Sequence, residues 1–348
     1  MKKKKLISCV FVFIFLLLLT AGGTLFTRSS GSHSGSISKS GFYFNTIITV
    51  TLYNSSDEAL LDGCFDLAAQ YESYFSNTVE GSDISKINAS GGAPVTVHEE
   101  TAELLKKGLY YGELSGGKFD ITIGRLSDLW DFSTKALLDE TDASMIPSDE
   151  DIQSALKTVD YHAVVVDGTT VTLTDPDAKI DLGGIAKGYI ADRMKDYLNE
   201  NGATSGIINL GGNVLCLGTK ADGSAYSIGL QRPFDENGSL IAAVHVTDET
   251  VVSSGVYERS FEVDGKLYHH ILDTATGYPY DNGLLGVTII TDESVDGDGL
   301  STTCFALGLK DGMALIESLD DTEAIFITDD YELHASSGIG SRIPCDVY

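Results

Sequence analysis

The order of strand-like and helix-like segments places the strongest constraint on the fold of this chain. From Gly206 to Ile290, short apolar runs alternate with turns, and Asp264-Gly265 between two of these runs is a strong signal for a type I′ hairpin. Helical periodicity falls in separate segments, at about 57–75, 99–115 and 185–200. Because strands and helices do not alternate as regular βαβ units, the sequence predicts an α+β fold rather than a doubly wound α/β fold.

The remaining segments extend this interpretation to the C-terminus. A hairpin is predicted at 164–174, turning at Asp167-Gly168. Two helices are predicted at 298–307 and 313–319, and two strands around Asp329-Asp330. The chain has 348 residues and is 43% hydrophobic, which is enough to build one large core. We therefore expect a single compact domain of mixed sheets and helices over residues 41–348.

The first 27 residues form a targeting element. Lys2 to Lys5 are basic, and an apolar run follows from Leu6 to about Phe26. Such a run suits either a cleaved signal peptide or an uncleaved membrane anchor, because its 21 residues are just long enough to span a bilayer. The basic flank places the rest of the chain on the extracytoplasmic face. Residues 28–40 are rich in Ser and Gly and are predicted to be a flexible linker, so the membrane is contacted through the N-terminal segment only.

The charge excludes one class of partner. The formal net charge is −28, and beyond the targeting element 19 basic groups face 51 acidic ones. A field of that sign repels nucleic acid. An anionic substrate would need a local source of positive charge, for which a bound divalent cation is the simplest candidate.

The cysteines and paired histidines do not suggest a metal or disulfide framework. Cys64, Cys216, Cys304 and Cys345 are scattered without a CxxC pair, so small buried hydrophobic roles are expected. His269-His270 would face opposite sides of a strand and has no further ligands at zinc spacing. One of these histidines is expected in the core.

Two motifs place polar or glycine residues near predicted helix starts. Asp181 to Tyr189 (DLGGIAKGY) precedes a helix, and is either an ordinary glycine-rich turn or a loop that offers free amides to a phosphate. Asp298 and Thr302 lie at i and i+4, where their oxygens suit Mg²⁺ or Ca²⁺, although Asp298 is equally suited to capping a helix. A third segment, Gly112 to Lys118, has Walker A spacing but ends a helix and lacks the Ser/Thr, so a P-loop is excluded.

Taken together, ordered blocks of the sequence resemble the ApbE family of FAD:protein FMN transferases. The blocks are FNTIITVTLY (44–53), FSNTVEGSDISKIN (75–88), SGGKFDITIGRLSDLWDF (115–132), IDLGGIAKGYIAD (180–192), GIINLGGNV (206–214), SSGVYERSF (253–261), HHILDTATGYP (269–279) and DGLSTTCFALG (298–308). The resemblance covers about 41–310. It implies Mg²⁺-dependent transfer of FMN from FAD to a Ser or Thr of an exported acceptor protein, with release of AMP. The implied acceptors are FMN-binding proteins of membrane redox complexes.

The resemblance also implies the site residues. The Mg²⁺ ligands would be the Ala186 carbonyl, Asp298 and Thr302, and the catalytic groups would be Asp298, Thr302 and His270. Binding of FAD, the substrate, is expected to involve Phe44, Asn77, Thr78, Lys118, Phe119, Asp120, Gly183, Tyr189, Glu258 and Ile271. Removal of Asp298 is expected to abolish activity and leave the fold largely intact, since one carboxylate in an open cleft is rarely a major stability term.

Two departures from the family pattern leave alternatives open. The first block begins Phe44-Asn45-Thr46 where family members often have Met-Gly-Thr, and Asn77-Thr78 stand where many have a Tyr near the flavin. Short polar side chains there would give water a freer route to the phosphorus. An Mg²⁺-dependent FAD pyrophosphatase that yields FMN and AMP is therefore one alternative. A non-catalytic flavin-binding or electron-transfer protein is another.

Overall fold

The computed structural model of the protein describes residues 35–53, 55–138, 140–235 and 237–348. The signal or anchor predicted at 1–27 and most of the linker predicted at 28–40 lie outside these residues. Among the helices in the described ranges, none combines the length and apolar character needed to cross a membrane.

The strands are numbered in chain order. They are β1 (Ser36–Tyr43), β2 (Thr46–Tyr53), β3 (Val95–Thr96), β4 (Val164–Asp167), β5 (Thr170–Leu173), β6 (Ser205–Leu210), β7 (Asn213–Gly218), β8 (Tyr226–Gln231), β9 (Leu240–Val246), β10 (Thr250–Gly255), β11 (Ser260–Val263), β12 (Lys266–His269), β13 (Leu284–Thr291), β14 (Glu323–Thr328), β15 (Leu333–Ala335) and β16 (Cys345–Val347). The helices are α1 (Glu58–Phe75), α2 (Asp83–Asn88), α3 (Glu99–Ser115), α4 (Gly124–Trp130), α5 (Phe132–Lys135), α6 (Asp149–Leu156), α7 (Ala186–Glu200) and α8 (Ser294–Ile316).

One large antiparallel sheet organises the molecule. Its eight strands lie in the order β1-β2-β6-β7-β10-β13-β14-β15, and three small sheets, β11-β12, β16-β9-β8 and β3-β5-β4, surround it. Helices α7 and α8 pack against each other and against this sheet, and α1 packs on α7 and β1. The predicted α+β class is confirmed. The alternation of buried and exposed residues along β2 and β6 shows why these runs form strands with one face in the core.

The predicted helices and hairpins are largely confirmed. Helix α1 begins where the Asp57 carboxylate accepts from the Ala59 backbone N–H at 3.0 Å, and α3 ends at Gly116 with φ 63°. Asp264 and Gly265 both have positive φ between β11 and β12, as a type I′ turn requires. Cys64, Cys216 and Cys304 are buried free thiols, and Cys345 is partly buried.

The predicted linker is wrong at its C-terminal end. Strand β1 begins at Ser36 and pairs with β2 from Ser36–Tyr53 to Tyr43–Thr46. The hydroxyls of Ser38 and Ser40 contact Thr51 and Thr49 across the pair, each at 2.9 Å. A Ser/Gly composition concealed the strand because β1 is an edge strand with one face open to solvent, so it needs little apolar pattern.

The predicted start of the last long helix is also wrong. Helix α8 begins at Ser294 rather than Asp298, because its first turn is capped by a residue of another helix, Asp192. The two helices predicted at 298–307 and 313–319 are joined across a kink at Gly308, whose φ of 79° is not helical.

Candidate functional site

A cleft of about 530 Å³ opens beside the antiparallel sheet. The β1–β2 turn, the end of α1, the loop before α4, helix α5, the start of α7, the end of β10 and the loop after β12 all contribute to its walls. This volume lies in the range of small-molecule and cofactor sites. Every site residue predicted from the sequence lines this cleft except Tyr189.

The N-termini of α7 and α8 hold each other through two buried carboxylates. Asp192 on α7 accepts from the backbone N–H groups of Ser294 and Val295 at 2.7 and 2.8 Å. Asp298 on α8 accepts from the Gly188 N–H, in the first turn of α7, at 2.7 Å. Each helix thus supplies an acceptor for free amides at the start of the other. Burial raises the pKa of Asp192 to about 7 in spite of these two N–H donors.

The close approach of α7 and α8 requires glycine at position 188. A Cβ there would lie 2.2 Å from the Ser294 carbonyl oxygen, so any larger residue would separate the two helices. The short distance between helix starts allows the Asp298 carboxylate on α8 to reach the α7 backbone. The glycine-rich motif is therefore more than an ordinary turn: it sets the spacing of two elements of the cleft wall.

Asp298 is fixed on both carboxylate oxygens. Its Oδ1 accepts from the Asn213 amide at 2.8 Å, and the Asn213 Oδ1 in turn accepts from the Ser294 hydroxyl at 2.7 Å. Asp298, Asn213 and Ser294 are all buried. Asp298 lies inside α8 and does not cap it, so the capping alternative for its own helix is wrong. Thr302, one turn further, makes only a long 3.4 Å contact with the Ser254 hydroxyl.

These residues form a donor set of hard oxygens. The Ala186 backbone at the first residue of α7, the Asp298 carboxylate and the Thr302 hydroxyl all line the cleft. Carboxylate, carbonyl and hydroxyl oxygens are the ligands that Mg²⁺ accepts, together with water and substrate oxygens. Among the described residues no cluster of three or more His, Cys, Asp or Glu side chains is placed to hold a metal ion. A cation in this cleft would therefore be bound by carbonyl, carboxylate and hydroxyl oxygens together.

The cleft has more acids than bases. Three cations, Lys118, Lys187 and Arg259, line it together with seven carboxylates, namely Glu72, Asp120, Asp128, Asp131, Asp181, Glu258 and Asp298. A pyrophosphate group would add negative charge to this excess. The local charge therefore favours a divalent cation as companion to a phosphorylated ligand.

The two histidines have separate roles, as the sequence indicated. His269 lies in the core, where its Nε2 donates to the Tyr280 carbonyl oxygen at 2.9 Å. His270 lies on the cleft wall, and its Nδ1 is buried without a hydrogen-bond partner among the described residues. Burial lowers the pKa of His270 to about 3, with Arg259 contributing in the same direction, so its ring is neutral near pH 7. The pKa of His269 is lowered to about 4, also by burial.

Glu258 is a carboxylate that faces the cleft with no hydrogen-bond partner recorded in the described structure. Desolvation in the cleft raises the pKa of Glu258, and Lys187 and Arg259 act in the opposite direction. The Lys187 ammonium is held at 3.3 Å from the Gly183 carbonyl oxygen. The cleft therefore presents both the Glu258 carboxyl group and the Lys187 ammonium group to a ligand.

The loop after α3 presents three of the predicted flavin contacts. Lys118 lies 5.7 Å from the centre of the Tyr280 ring, and Phe119 packs against Gly184. The Asp120 carboxylate accepts from the Thr122 and Tyr161 backbone N–H groups at 2.7 and 2.8 Å. Through these hydrogen bonds, the Asp120 carboxylate stabilises the conformation of the loop.

The β1–β2 turn and the end of α1 form the opposite wall. Phe44 and Asn45 both adopt left-handed backbone conformations, with φ of 52° and 55°, and the Phe44 N–H donates to Glu72 at 2.7 Å. Asn77 and Thr78 line the cleft beyond α1, and the Thr78 hydroxyl contacts only Ser76, at 3.1 Å. Ile271 lies on the cleft wall next to His270 and is buried.

The structure does not place Tyr189 in the cleft. Tyr189 lies about 160° around the α7 axis from Lys187, since residues two apart on a helix point to nearly opposite sides. Its hydroxyl donates to Glu103 at 2.7 Å, and its ring packs edge-on against Tyr71 and Phe75. It lines a second cavity, of about 870 Å³, between α3, α7 and the start of α8. Of the predicted flavin contacts, Tyr189 is the one whose side chain the structure places outside the cleft lining.

Sequence reasoning missed two residues of the site. Asn213 stands in the quoted GIINLGGNV block, but its contact with Asp298 joins positions 85 residues apart, which no local pattern reveals. Lys187 lies inside the IDLGGIAKGYIAD block. Its position one residue after Ala186, at the predicted helix start, could have identified it as a residue of the site.

Comparison with known proteins decides the family. Residues 44–326 match the model of the ApbE family. The chain belongs to the ApbE family. It is 39% identical over 293 residues to the FAD:protein FMN transferase of Klebsiella pneumoniae (strain 342), covering 83% of this chain and 88% of that one. It is 32% identical over 326 residues to the protein of the same name from Treponema pallidum (strain Nichols), covering 88% of both.

Solved structures of the ApbE family share this fold. The crystal structure of the ApbE protein from Thermotoga maritima aligns with a TM-score of 0.78 at 31% identity, over 87% of this chain and 97% of that one. The flavin transferase ApbE from Vibrio cholerae aligns with a TM-score of 0.75 at 25% identity, over 87% and 97%.

Proposed function

We propose that this protein is an FAD:protein FMN transferase that moves FMN from FAD to a Ser or Thr of an exported acceptor protein, with Mg²⁺, and releases AMP. The observation that carries the proposal is the convergence of Ala186, Asp298 and Thr302 on the cleft that also contains the predicted flavin contacts other than Tyr189. Relatives that match most of the chain are named FAD:protein FMN transferase, which supports the flavin-transfer part of the proposal.

The oxygen donors of the cleft would hold the cation. Bound there, Mg²⁺ would neutralise the charge that develops on the phosphate oxygens. The chain's own contribution is to fix the donors: Asn213 and the Gly188 N–H hold the Asp298 carboxylate in one orientation before any ligand arrives. Lys118 and Lys187 add positive charge on the cleft surface for a bound pyrophosphate.

The reaction exchanges one phosphorus–oxygen bond for another. The acceptor hydroxyl oxygen bonds to the phosphorus on the flavin side of FAD, and the bond from that phosphorus to the bridging oxygen breaks. The bridging oxygen leaves with AMP. We assign contact with the acceptor hydroxyl to His270, because it lines the cleft and its Nδ1 has no hydrogen-bond partner among the described residues, so that this nitrogen can accept the hydroxyl proton.

The acceptors are proposed to be FMN-binding proteins of membrane redox complexes on the extracytoplasmic face. Support comes from the basic and apolar N-terminal segment, which is typical of export or anchoring. Intact-mass measurement on the membrane fraction tests whether the N-terminal segment is kept as an anchor or removed. A mass that begins at Met1 indicates an anchor, and one that begins near residues 22–30 indicates cleavage.

Hydrolysis of FAD is the second candidate, favoured by one observation. Thr78 is exposed at the cleft and its hydroxyl contacts only Ser76, so no large side chain from this position excludes water. We therefore expect release of FMN and AMP in the absence of an acceptor, alongside transfer when an acceptor is present.

A single incubation with FAD, Mg²⁺ and an FMN-binding acceptor domain separates the possibilities. A covalently flavin-labelled acceptor with equimolar AMP supports transfer. Free FMN and AMP without labelling support a pyrophosphatase, and intact FAD supports binding alone. EDTA is expected to stop turnover and added Mg²⁺ to restore it; turnover that resists EDTA contradicts the metal assignment.

A further inference from the structure

Several large apolar side chains are exposed on segments that lead into the cleft lining. Phe42 and Ile47, 58% and 59% exposed, lie directly opposite each other on β1 and β2, so they share one face of the hairpin. The neighbouring Tyr43 points the other way and packs on Phe65 of α1. The turn of this hairpin, residues 44–46, is part of the cleft wall.

A second exposed pair stands on the α5 side of the mouth. Leu137 and Leu138 are 82% and 51% exposed, and they follow directly on α5, whose Ser133 and Thr134 line the cleft. Their backbone N–H groups bond to the Thr134 and Lys135 carbonyls, so the two leucines lie one turn beyond the cleft wall.

Two further apolar residues complete the surround. Phe234 is 47% exposed and packs edge-on against Tyr257, which precedes Glu258 in the cleft. Val79 is exposed and follows Asn77 and Thr78 of the cleft wall. Each of these six side chains is thus within a few residues or one contact of a segment that lines the cleft.

The hairpin and α5 are brought together across the mouth by Arg259. Its guanidinium lies 3.5 Å from the Asn45 carbonyl oxygen and 3.4 Å from the Ser133 hydroxyl, at the outer limit of hydrogen bonding. The apolar pairs flank the two elements that Arg259 contacts, and together with Phe234 and Val79 we call them the rim. Exposed apolar surface of this kind, around a site and bordered by polar residues, marks a surface for a macromolecular partner.

We propose that this rim, made of Phe42, Ile47, Val79, Leu137, Leu138 and Phe234, is the docking surface for the folded protein that accepts the flavin. The inference rests on the proposed function, because a folded acceptor must bring its hydroxyl into the cleft and so must cover the mouth. FAD, which is small enough to lie within the cleft, has no need of side chains outside it.

The charges beside the rim specify the chemistry of the partner. Glu80 follows Val79, and Glu140 and Asp142 follow the leucine pair, all with exposed carboxylates. An acceptor that fits would place an apolar patch around its Ser or Thr and Lys or Arg residues at the edge of that patch. Labelling of the acceptor should consequently weaken as salt is added.

The test compares two acceptors, a protein and water, at the same reaction centre. The full chain, with FAD and Mg²⁺, is assayed for labelling of a purified FMN-binding domain and, without that domain, for AMP release. The rim variants are Leu137→Ser/Leu138→Ser and Phe42→Ser/Ile47→Ser. The matched control is Val165→Ser/Val347→Ser, which removes exposed apolar side chains from β4 and β16, outside the cleft lining.

We expect each rim variant to lose roughly tenfold or more in kcat/KM for the acceptor domain, mainly through KM, as is usual when interface anchors are removed. AMP release without acceptor should stay within about twofold of wild type, since the cleft is untouched. A short peptide that carries the acceptor Ser or Thr should be labelled equally by all variants, because it does not reach the rim.

The outcomes separate this inference from the proposed function. Rim variants that label the folded domain as fast as the control overturn the docking surface and leave flavin transfer standing. An equal loss in AMP release also overturns it, since the residues would then act on FAD. A wild-type protein that labels no acceptor overturns the proposed function and the docking surface together.

Discussion

Replacement of Asp298 by Ala tests whether this carboxylate is structural as well as functional. In the structure its two oxygens accept from the Asn213 amide and the Gly188 N–H, at 2.8 and 2.7 Å, and the residue is buried. The change to Ala removes both acceptors and leaves two buried donors without partners. The expectation that the fold tolerates this loss, made from sequence alone, treated Asp298 as an open-cleft carboxylate, and the structure corrects it.

The magnitude follows from the two donors. A buried donor left unsatisfied costs about 1–3 kcal/mol. Water from the cleft can satisfy part of this demand, so we expect the free energy of unfolding to fall by about 2–4 kcal/mol. Asp298→Asn keeps one acceptor oxygen and should lose about half as much. Thr302→Ala should lose less than about 1 kcal/mol, because the Thr302 hydroxyl makes only a 3.4 Å contact.

Urea unfolding and AMP release are measured on the three variants and wild type. Activity should be lost in Asp298→Ala and Thr302→Ala alike, and stability mainly in the first. An Asp298→Ala protein as stable as wild type would refute the account of the α7–α8 contact. One that turns over FAD at the wild-type rate with Mg²⁺ would refute the metal assignment.

Three further predictions concern other parts of the structure. Asn213→Ala should raise the Mg²⁺ concentration needed for half-maximal AMP release about 10–100-fold, as for other residues that orient a metal ligand. Titration calorimetry with Mg²⁺ should show the same weakening of Mg²⁺ binding without turnover. Unchanged Mg²⁺ affinity would contradict the orienting role of Asn213. Thr78→Tyr should lower AMP release without acceptor relative to acceptor labelling, and a constant ratio would show that Thr78 does not admit water. Burial depresses the folded-state pKa of His269 from 6.5 to about 4, so the stability that neutral His269 contributes is complete above about pH 6.5 and is lost as pH falls towards 4. In urea unfolding at pH 7 and pH 4.5, His269→Gln should therefore lose less unfolding free energy on acidification than wild type does. An equal loss would exclude His269 as the cause of the acid destabilisation.

Helix boundaries set by local chemistry were predictable, and those set by distant residues were not. Asp57 caps α1 and Gly116 ends α3 through contacts within a few residues, so the sequence indicates both. Helix α8 starts four residues earlier than predicted because its cap is Asp192, about 100 positions away in the chain. Strand β1 was mistaken for linker for a related reason, since its partner β2 supplies the pairing that its own composition does not suggest.

The candidate site divides in the same way. The sequence by itself determined the α+β class and the family. All but one of the site residues that it predicted line the cleft, because each lies in a block whose residue order is specific. The tertiary structure alone decided that Tyr189 turns away from the cleft and that Asn213 and Gly188 hold Asp298. Helix rotation and contacts between remote segments depend on how α7 and α8 pack against each other, and packing at such distances leaves no periodicity in the chain.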